Sequence, residues 1–344
     1  MSDVRIAVVG AGLIGQQHIL RATREPGALL AAIVDPAERA NELAASLGTK
    51  WFPDLATMLQ AERPDGAIIA TPNQLHVANG LESVAAGLPM LIEKPLAEDV
   101  ASGRRLVEAA EAAGVPLLVG HHRRHNPLIH RAKAIVASGR LGRITIVNAL
   151  SWFLKPDDYF DVAWRREPGG GPVLINLIHV VDDLRNLCGE VDEVRAIESN
   201  AIRRFGVEDT AAALVSFESG ALGTISISDT VAAPWSWELT AGENQAFPET
   251  GEFCYLIGGI DGSMSFPRLE VCHYQGERSW QAPIDRAQVV APKEDPLALQ
   301  LRHFCRVVRG QERPLVDGRE ALRTLEVTLA VKAAAAGGGS VSLR

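Results

Sequence analysis

Three glycines near the N-terminus have the spacing of a phosphate-binding turn. Gly10, Gly12 and Gly15 follow a β-rich run, Val4–Val9, and open a stretch that is typical of a helix. In this pattern the first glycine permits a tight turn, the second lets the backbone approach a pyrophosphate, and the third lets the helix pack closely on the strand. Free N–H groups at the start of the helix hold the diphosphate charge. The sequence therefore predicts a dinucleotide site at Gly10, Gly12, Leu13, Ile14 and Gly15.

An aspartate at the end of the second predicted strand favours one form of the dinucleotide. Asp35 directly follows the apolar run Leu29–Val34, at the distance from the glycine turn where such sites place an acidic residue. A carboxylate there accepts hydrogen bonds from the adenosine ribose hydroxyls and repels a 2′-phosphate, which favours NAD over NADP. Arg39, one helical turn further on, softens that repulsion. Two alternatives stay open: Asp35 caps the helix that begins at Ala37, or the glycine turn binds no ligand.

A lysine follows another apolar strand. Lys94 stands between Glu93 and Pro95. An ammonium at this position is costly to bury unless it has partners. Neighbouring side chains on a strand point to opposite faces, so a simple pair between Lys94 and Glu93 is not favoured. The alternatives are therefore a functional cation and a solvated lysine.

Polar side chains form a stripe on an otherwise apolar helix in the second half of the chain. Asn176, His179 and either Asp182 or Asp183 follow the glycine loop 169–171 at helical spacing, which places them on one face. A histidine, whose ordinary pKa is about 6.5, can accept an alcohol proton near neutrality. A lone buried histidine is usually structural, but a stripe behind a flexible loop favours a functional site.

A basic cluster follows the last predicted strand of the first half. Four histidines fall between His121 and His130, and Arg123 and Arg124 lie among them. Arginines suit hydroxyls or a carboxylate of a substrate. No carboxylate or cysteine partner stands at ligand spacing, so we predict no metal site here.

A second mixed segment precedes the glycine loop. It contains Lys155, Tyr159, Trp164 and Arg165. Basic and aromatic side chains together suit a sugar ring or an aromatic acid, and we predict substrate contacts for Lys155, Trp164 and Arg165. Packing within a lid or an interface is the alternative for Tyr159 and Trp164.

The elements that must position these residues fall into two classes. Up to Gly120, apolar strands alternate with helices, which predicts an α/β domain with a doubly wound parallel sheet at residues 1–122. Afterwards, consecutive strands without intervening helices predict an α+β domain with a large, mostly antiparallel sheet at residues 123–344. The two C-terminal helices belong to this domain or pack back on the first. The β-like runs are Val191–Ser199, Thr210–Phe217, Leu222–Ser228, Trp235–Thr240, Phe253–Ile257 and Leu269–Cys272.

Composition excludes several classes of protein. The 344 residues are 47% hydrophobic, which rules out intrinsic disorder. With 34 basic and 42 acidic residues, the net charge of −8 predicts neither a nucleic-acid partner nor a membrane surface. No apolar run approaches the roughly 20 residues that span a bilayer. The four cysteines lack metal-ligand or disulfide spacing, so a reducing cytoplasmic location is expected.

Three further motifs carry a resemblance to a known family. They are Thr71-Pro72-Asn73-Gln74-Leu75-His76, Glu93-Lys94-Pro95, and Gly169-Gly170-Gly171 running into His179-Val180-Val181-Asp182. With the N-terminal glycine turn, they resemble the Gfo/Idh/MocA oxidoreductases, the group of glucose–fructose oxidoreductase and inositol dehydrogenase. The resemblance implies that Thr71, Pro72 and Asn73 lie near the cofactor, with Glu93 as a brace. His76 either reaches the cofactor's neighbourhood or is a satisfied structural histidine.

The resemblance also assigns the chemistry. It places Lys94 beside the nicotinamide and the substrate oxygen, where an ammonium stabilises alkoxide character during hydride transfer. Members of the family commonly carry an aspartate four residues before the histidine that matches His179. Here that position is Ile175, followed by Asn176, so His179 acts as general base alone or is tuned by Asp182. Asn176 is expected to bond the substrate or the nicotinamide ribose.

The resulting expectation is an NAD-dependent dehydrogenase that oxidises a secondary hydroxyl of a sugar, polyol or cyclic diol. The family resemblance further implies a homodimer or homotetramer formed through the sheet of the second domain. One alternative is a redox-neutral hydrolase or lyase that uses NAD transiently. Another is a non-catalytic, NAD-binding regulator, which the missing aspartate supports weakly.

Overall fold

The structure is a computed structural model that describes residues 2–344, and they form two compact units. The first unit contains the described residues up to His125 together with Asp295–Leu325. The second contains Asn126–Glu294 and Glu326–Arg344. Within residues 2–344, no helix is both long enough and apolar enough to cross a membrane.

The first unit contains a six-stranded parallel sheet with strand order β3-β2-β1-β4-β5-β6. Its central strands are buried along nearly their whole length, as expected for a parallel sheet covered on both faces. Its strands are β1 (Val4–Val9), β2 (Ala28–Val34), β3 (Lys50–Phe52), β4 (Gly66–Ile69), β5 (Met90–Ile92) and β6 (Leu117–Val119). Its helices up to residue 125 are α1 (Leu13–Ala22), α2 (Glu38–Leu47), α3 (Leu55–Ala61), α4 (Asn73–Ala85), α5 (Val100–Ala113) and a 3₁₀ turn, His122–His125.

Local sequence signals set the helix ends in this unit. The side chain of Asp54 accepts a hydrogen bond from the Thr57 N–H at 2.7 Å and caps α3. Asp99 caps α5 in the same way through the Ser102 N–H at 2.8 Å. Gly48 and Gly114 end α2 and α5 in the left-handed conformation that glycine tolerates best.

The second unit contains a nine-stranded sheet with strand order β14-β13-β12-β11-β7-β10-β9-β8-β15. Among the strand pairs of this sheet that residues 2–344 form, only β10–β7 is parallel. The strands are β7 (Ile144–Trp152), β8 (Val191–Ser199), β9 (Thr210–Phe217), β10 (Leu222–Ser228), β11 (Tyr255–Gly259), β12 (Gly262–Phe266), β13 (Glu270–His273), β14 (Asp285–Gln288) and β15 (Ser340–Ser342). The predicted fold class, a doubly wound parallel sheet followed by a mostly antiparallel one, is confirmed.

The helices of the remaining chain are α6 (Pro127–Ala137), α7 (Ile178–Cys188), α8 (Trp237–Thr240), α9 (Pro296–Val308) and α10 (Gly318–Gly337). Short 3₁₀ turns lie at Asp157–Asp161 and Ala163–Arg166, and a wide π-helical turn, Val173–Leu177, leads into α7. The expected strand at 235–240 is wrong, because this segment forms the short helix α8. Its aromatic residue Trp237 is buried against Phe266 rather than paired in a ladder, so its β-type composition reflects burial.

One face of the nine-stranded sheet packs on the core of the second unit, and the other does not. Strand β9 alternates buried and exposed residues, which is the pattern of a sheet with one solvated face. Its core side contains Phe217, Tyr255 and Phe266, which are almost completely buried. Large apolar side chains are exposed on several of its strands: Ile146, Ile197, Leu214, Leu222 and Leu256.

Candidate functional site

The glycine turn is shaped by contacts that only glycine permits. Gly10 has a φ of +94°, and a Cβ added to it would lie 2.5 Å from the carbonyl oxygen of Ala70. A Cβ at Gly15 would collide with the carbonyl oxygen of Gly10. Within residues 2–344, a Cβ at Gly12 would have no neighbouring atom within 4 Å, and Gly12 is itself the N-cap of α1, with no side chain to cap it. The turn therefore leaves open space before the helix start, which suits a pyrophosphate.

Asp35 holds this turn from the neighbouring strand. Its Oδ2 atom accepts a hydrogen bond from the Ala11 N–H at 2.8 Å, and Oδ1 accepts one from the Ala37 N–H at 2.9 Å. The helix-capping alternative for Asp35 is wrong, because α2 begins at Glu38 with Ala37 as its N-cap. The carboxylate instead holds the glycine turn and the backbone that leads into α2. Each carboxylate oxygen has further acceptor capacity, so the predicted bonds to ribose hydroxyls stay compatible with this geometry.

The loop after β4 is tied to the loop after β5 by His76. Its Nδ1 lies 2.7 Å from the carbonyl oxygen of Pro95, and its Nε2 lies 2.9 Å from that of Thr71. Burial lowers the pKa of the His76 imidazole, and the two carbonyl oxygens oppose this effect only in part. The geometry is that of a brace between two loops, as in the structural alternative. Pro72 and Asn73, the other predicted cofactor residues here, lie at the start of α4.

The turn that contains Lys94 is fixed by its neighbour Glu93. Glu93 is buried, its Oε1 lies 2.7 Å from Nε2 of His18, and its Oε2 accepts the Lys94 N–H at 3.2 Å. Burial raises the pKa of Glu93. The hydrogen bond and charge of His18, with the charges of Lys94 and His122, outweigh burial and hold that pKa below its ordinary value. Lys94 itself is half-buried rather than fully solvated.

His18 is a functional candidate that was not predicted from the sequence. It lies three residues after Gly15 on α1 and is buried together with Gly15, Ile19 and Ala22. These positions form one face of the helix. A polar residue in this apolar stripe was the available signal, because a buried imidazole needs hydrogen-bond partners.

The basic cluster after β6 is mostly internal to the first unit. Arg123 and Arg124 are both buried, and Nη2 of Arg124 donates to Oε1 of Glu320 at 2.6 Å. The ring of His125 lies 5.1 Å from that of His303. Within residues 2–344, no three His, Cys, Asp or Glu side chains are arranged to hold a metal ion. A substrate role for the two arginines stays a prediction, and the Arg124–Glu320 ion pair is a structural contact.

In the second unit, two predicted substrate residues are in direct contact. Nζ of Lys155 donates to Oδ1 of Asn176 at 2.7 Å. The same ammonium lies 3.9 Å from Oδ2 of Asp229 and 5.0 Å from the centre of the Tyr159 ring. Burial raises the pKa of Asp229, against the opposing charges of Lys155 and Arg203. Lys155 is thus a buried cation held by an amide, a carboxylate and an aromatic face.

Arg203 holds the segment that carries Lys155. Its Nε donates to Oδ1 of Asp229 at 2.9 Å, and its Nη2 donates at 2.7 Å to the carbonyl oxygens of both Lys155 and Asp229. Neither Arg203 nor Asp229 was predicted from the sequence. Both are far from Lys155 along the chain, and nothing local to either one marks the pairing.

Of the remaining residues of the mixed segment, Tyr159 and Arg165 pack against each other and Trp164 is exposed. The guanidinium of Arg165 lies 3.9 Å from the centre of the Tyr159 ring, and its Nη1 donates to the Tyr159 carbonyl oxygen at 2.5 Å. Burial raises the pKa of Tyr159. Trp164 is 44% exposed, so it lies at the surface of the second unit.

The glycine loop is anchored where the predicted catalytic helix begins. Glu208 is buried, accepts the Val173 N–H at 2.9 Å and pairs with Nζ of Lys332 at 2.5 Å. Gly171 has a φ of +82°, and a Cβ there would lie 2.6 Å from Oε1 of Glu208. The π-helical turn that follows carries Asn176 and runs directly into α7. Such turns are frequent at functional sites.

The helix that follows this turn carries the candidate general base. His179 and Asp182 lie on α7 and are both buried, as are nearly all residues of that helix. Asn176 comes three residues before His179, in the π-helical turn that leads into α7. The roles of His179 and Asp182 stay predictions.

Comparisons with known proteins agree with this architecture. Residues 4–121 match the model of an oxidoreductase family with an NAD-binding Rossmann fold, GFO/IDH/MocA. Residues 129–246 match the model of the GFO/IDH/MocA C-terminal domain. The first match includes the glycine turn and Lys94, and the second includes His179.

Individual relatives are named for chemistry on hydroxylated compounds. Inositol 2-dehydrogenase from Rhodococcus erythropolis is 33% identical over 63% of this chain and 63% of that protein. The scyllo-inositol 2-dehydrogenase (NAD(+)) from Bacillus subtilis is 27% identical over 95% of this chain and 93% of that protein. For two of the curated relatives, at 31% and 33% identity, the match spans less than two thirds of their own length, 59% and 63%.

A solved structure gives the same result for the fold. The WlbA dehydrogenase from Bordetella pertussis, crystallised with NADH and UDP-GlcNAcA, is 28% identical, with a TM-score of 0.82 and 99% coverage of both chains. The predicted enzyme class, oxidoreductase, and the predicted cofactor, NAD, are confirmed by these comparisons. The chain belongs to the GFO/IDH/MocA oxidoreductase family, with its NAD-binding Rossmann domain at residues 4–121 and its C-terminal domain matched at 129–246.

Proposed function

We propose that this protein is an NAD-dependent dehydrogenase that oxidises a secondary hydroxyl of a sugar, polyol or cyclic diol. The observation that carries the proposal is the position of the Lys94 turn. It follows the carboxyl end of β5, and the glycine turn follows the carboxyl end of β1 in the same parallel sheet. In such sheets, ligands bind at the carboxyl ends of the strands. The names of the relatives, which act on inositols or were crystallised with a nucleotide sugar, support a hydroxylated substrate.

The first unit supplies the cofactor residues of this proposal. The open turn at Gly12 and the helix start take the pyrophosphate, and Asp35 takes the adenosine ribose. When bound, NAD supplies the hydride acceptor. Thr71, on the loop after β4, and Pro72 and Asn73, at the start of α4, flank the cofactor. His76 and Glu93 hold the loops after β4 and β5 in place.

Side chains of this protein accept the hydroxyl proton of the substrate and stabilise the negative charge that develops on its oxygen. His179 accepts the hydroxyl proton of the substrate, and the Lys94 ammonium stabilises the oxygen as negative charge develops on it. The hydride leaves the same carbon that carried the hydroxyl, so a carbonyl product forms and the proton stays on His179. Lys155 and Asn176 bind the other hydroxyls, and Arg123, Arg124, Trp164 and Arg165 complete the predicted set.

The test is a panel of polyols, sugars, sugar acids and aromatic dihydrodiols, each incubated with NAD and followed at the NADH absorbance. At least one member is expected to reduce NAD in a time-dependent, enzyme-dependent manner. If none does, and the purified protein neither carries nor binds NAD, the proposal fails. Tightly retained cofactor with substrate turnover but no net NADH would instead indicate a redox-neutral hydrolase or lyase.

We also propose that two or four copies assemble through the open face of the nine-stranded sheet. That face exposes Ile146, Ile197, Leu214, Leu222 and Leu256, more than a monomer ordinarily leaves in contact with water. Sedimentation equilibrium tests this directly, with L214E as the disrupting variant and L47E, at the exposed end of helix α2, as the control. A wild-type monomer at micromolar concentration would contradict the proposal.

The proposed location is the cytoplasm. Within residues 2–344 no cysteine forms a disulfide, and three of the four cysteines are buried. Burial raises the pKa of Cys188 to about 12 and that of Cys305 to about 11, which keeps these thiols protonated and unreactive.

A further inference from the structure

A buried hydrogen bond joins the helix of the glycine turn to the turn of Lys94. Nε2 of His18 on α1 lies 2.7 Å from Oε1 of Glu93, although the two residues are 75 apart in sequence. The side chains of both are nearly inaccessible, at 1% and 5% exposure. His18 lies one helical turn beyond Gly15, and Glu93 directly precedes Lys94, so the pair connects two parts of the candidate cofactor site.

The Glu93 carboxylate has little freedom to move. Its second oxygen accepts the backbone N–H of Lys94 at 3.2 Å. On another side it faces Gly120, where an added Cβ would lie 2.9 Å from the carboxyl carbon. The residue after β6 must therefore be small for the carboxylate to keep its place between His18 and the Lys94 backbone.

The charges around Glu93 favour its ionised form. The groups that face it are His18 from α1, Lys94 from its own turn and His122 from the 3₁₀ turn after β6. His76 on α4 also interacts electrostatically with both Glu93 and Lys94. Attraction between opposite charges is mutual, so an ionised Glu93 in turn favours the ammonium form of Lys94.

We propose that His18 and Glu93 are positioning residues that fix the Lys94 turn and keep Lys94 charged. His18 keeps Glu93 ionised, and Glu93 holds the Lys94 backbone through one oxygen and favours the ammonium through its charge. Neither residue needs to touch substrate. The use of that charge in hydride transfer rests on the proposed function, but the effect on Lys94 itself does not.

The test measures Lys94 directly in the protein without substrate. Competitive acylation with acetic anhydride, quantified by peptide mass spectrometry, reports the uncharged fraction of a lysine as a function of pH. Four variants are compared with the wild type: E93Q, H18A, H18Q and H303Q. E93Q keeps the shape of the side chain and removes its charge, whereas H18Q keeps an N–H donor for Glu93.

The variants are expected to separate charge from structure. E93Q and H18A are each expected to increase the acylation rate of Lys94 at pH 8 about tenfold. E93Q removes the negative charge of Glu93, and H18A favours the protonated, uncharged form of Glu93. The midpoint of the pH profile moves to lower pH, while the plateau at high pH, which reports accessibility, stays as in the wild type. The acylation rate of Lys94 in H18Q is expected to lie between the rates in H18A and the wild type. The double variant H18A/E93Q is expected to show no larger increase than either single variant.

H303Q is the matched control. His303 also lies in the first unit and makes a partly buried histidine–glutamate contact, 2.7 Å from Nδ1 to Oε2 of Glu312. We expect H303Q to lower the melting temperature and leave the Lys94 profile within twofold of the wild type. Wild-type midpoints in both E93Q and H18A, with both proteins folded, would overturn the proposal. A responsive Lys94 in a protein that oxidises no member of the substrate panel would instead overturn only the proposed reaction.

Discussion

The ammonium of Lys155 determines which way the amide of Asn176 points. Nζ lies 2.7 Å from Oδ1. Because an ammonium only donates hydrogen bonds, the amide atom that faces it must be oxygen. The Nδ2 atom, with its two N–H groups, is therefore directed away from Lys155. Asn176, one residue after the position where the family commonly carries an aspartate, thus presents N–H donors, and such donors suit the oxygen atoms of a hydroxylated ligand.

Replacing Asn176 separates these two functions of the amide. N176D keeps an acceptor for Lys155 but removes the N–H donors, so the protein is expected to fold normally and to lose about tenfold in kcat/KM. N176A removes both and is expected to lose more. Steady-state kinetics with the first active substrate, alongside a thermal melt, makes the comparison. Wild-type kcat/KM in N176D would show that the N–H groups are not used.

Asp35 is expected to control which dinucleotide binds. D35A removes the acceptor for the Ala11 and Ala37 N–H groups and the repulsion of a 2′-phosphate. We expect NAD affinity to fall about tenfold and the preference over NADP to shrink or disappear. Isothermal titration with both dinucleotides measures this. Tighter binding of NADP than NAD by the wild type would contradict the assignment of Asp35.

Gly171 and Gly169 form a matched pair for testing the anchor of the glycine loop. Both have positive φ, +82° and +96°, but only at Gly171 would a Cβ meet Glu208. G169A is expected to lower the free energy of unfolding by about 1–2 kcal/mol, from backbone strain alone. G171A adds the displacement of Glu208 from Val173 and Lys332, for a total of about 3 kcal/mol or more. Equal losses in a denaturant titration would show that the Glu208 contact is unimportant.

Acidification is expected to weaken the first unit through His303. Its Nε2 accepts the Leu315 N–H at 3.0 Å, which requires the neutral ring, and burial lowers its pKa despite the opposing Glu312 carboxylate. The unfolded chain therefore binds more protons than the folded one below about pH 6.5, so this part of the stability is present above that pH and is lost as pH falls. The drop in melting temperature between pH 7 and pH 5 should be smaller in H303Q than in the wild type. An identical drop in both would exclude this role.

The features that local sequence could predict are those whose partners lie close in the chain. The strand–turn–helix at Gly10–Gly15, the caps at Asp54 and Asp99, and the helix after Gly171 all depend on neighbours within a few residues. Alternation of apolar strands and helices was sufficient to predict the parallel sheet, and consecutive strands without intervening helices predicted the mostly antiparallel one. For this reason the fold class and the family were accessible without coordinates.

The features that local sequence could not predict are contacts between distant residues. Glu93 meets His18 across 75 residues, and Arg124 meets Glu320 across 196. The backbone carbonyl oxygen of Lys155 accepts a hydrogen bond from Arg203, and its N–H donates to the carbonyl oxygen of Asp229, on two separate loops. Charge or polarity at each position was visible, but the partner follows only from the tertiary fold. The strand expected at 235–240 shows the same limit. Trp237 packs against Phe266 from a short helix and does not belong to a paired strand.

The central claim is that NAD-dependent oxidation of a hydroxyl uses His179 as the base and Lys94 as the cation. The most direct measurement is the rate of NADH formation by wild type, H179A and K94A at saturating NAD, with the most active member of the panel. We predict that each variant binds NAD within a fewfold of the wild type and loses about 10²–10⁴ in kcat, as is typical for a positioned acid–base or charge-stabilising group. A loss of less than tenfold in H179A, with NADH still formed, would contradict the claim.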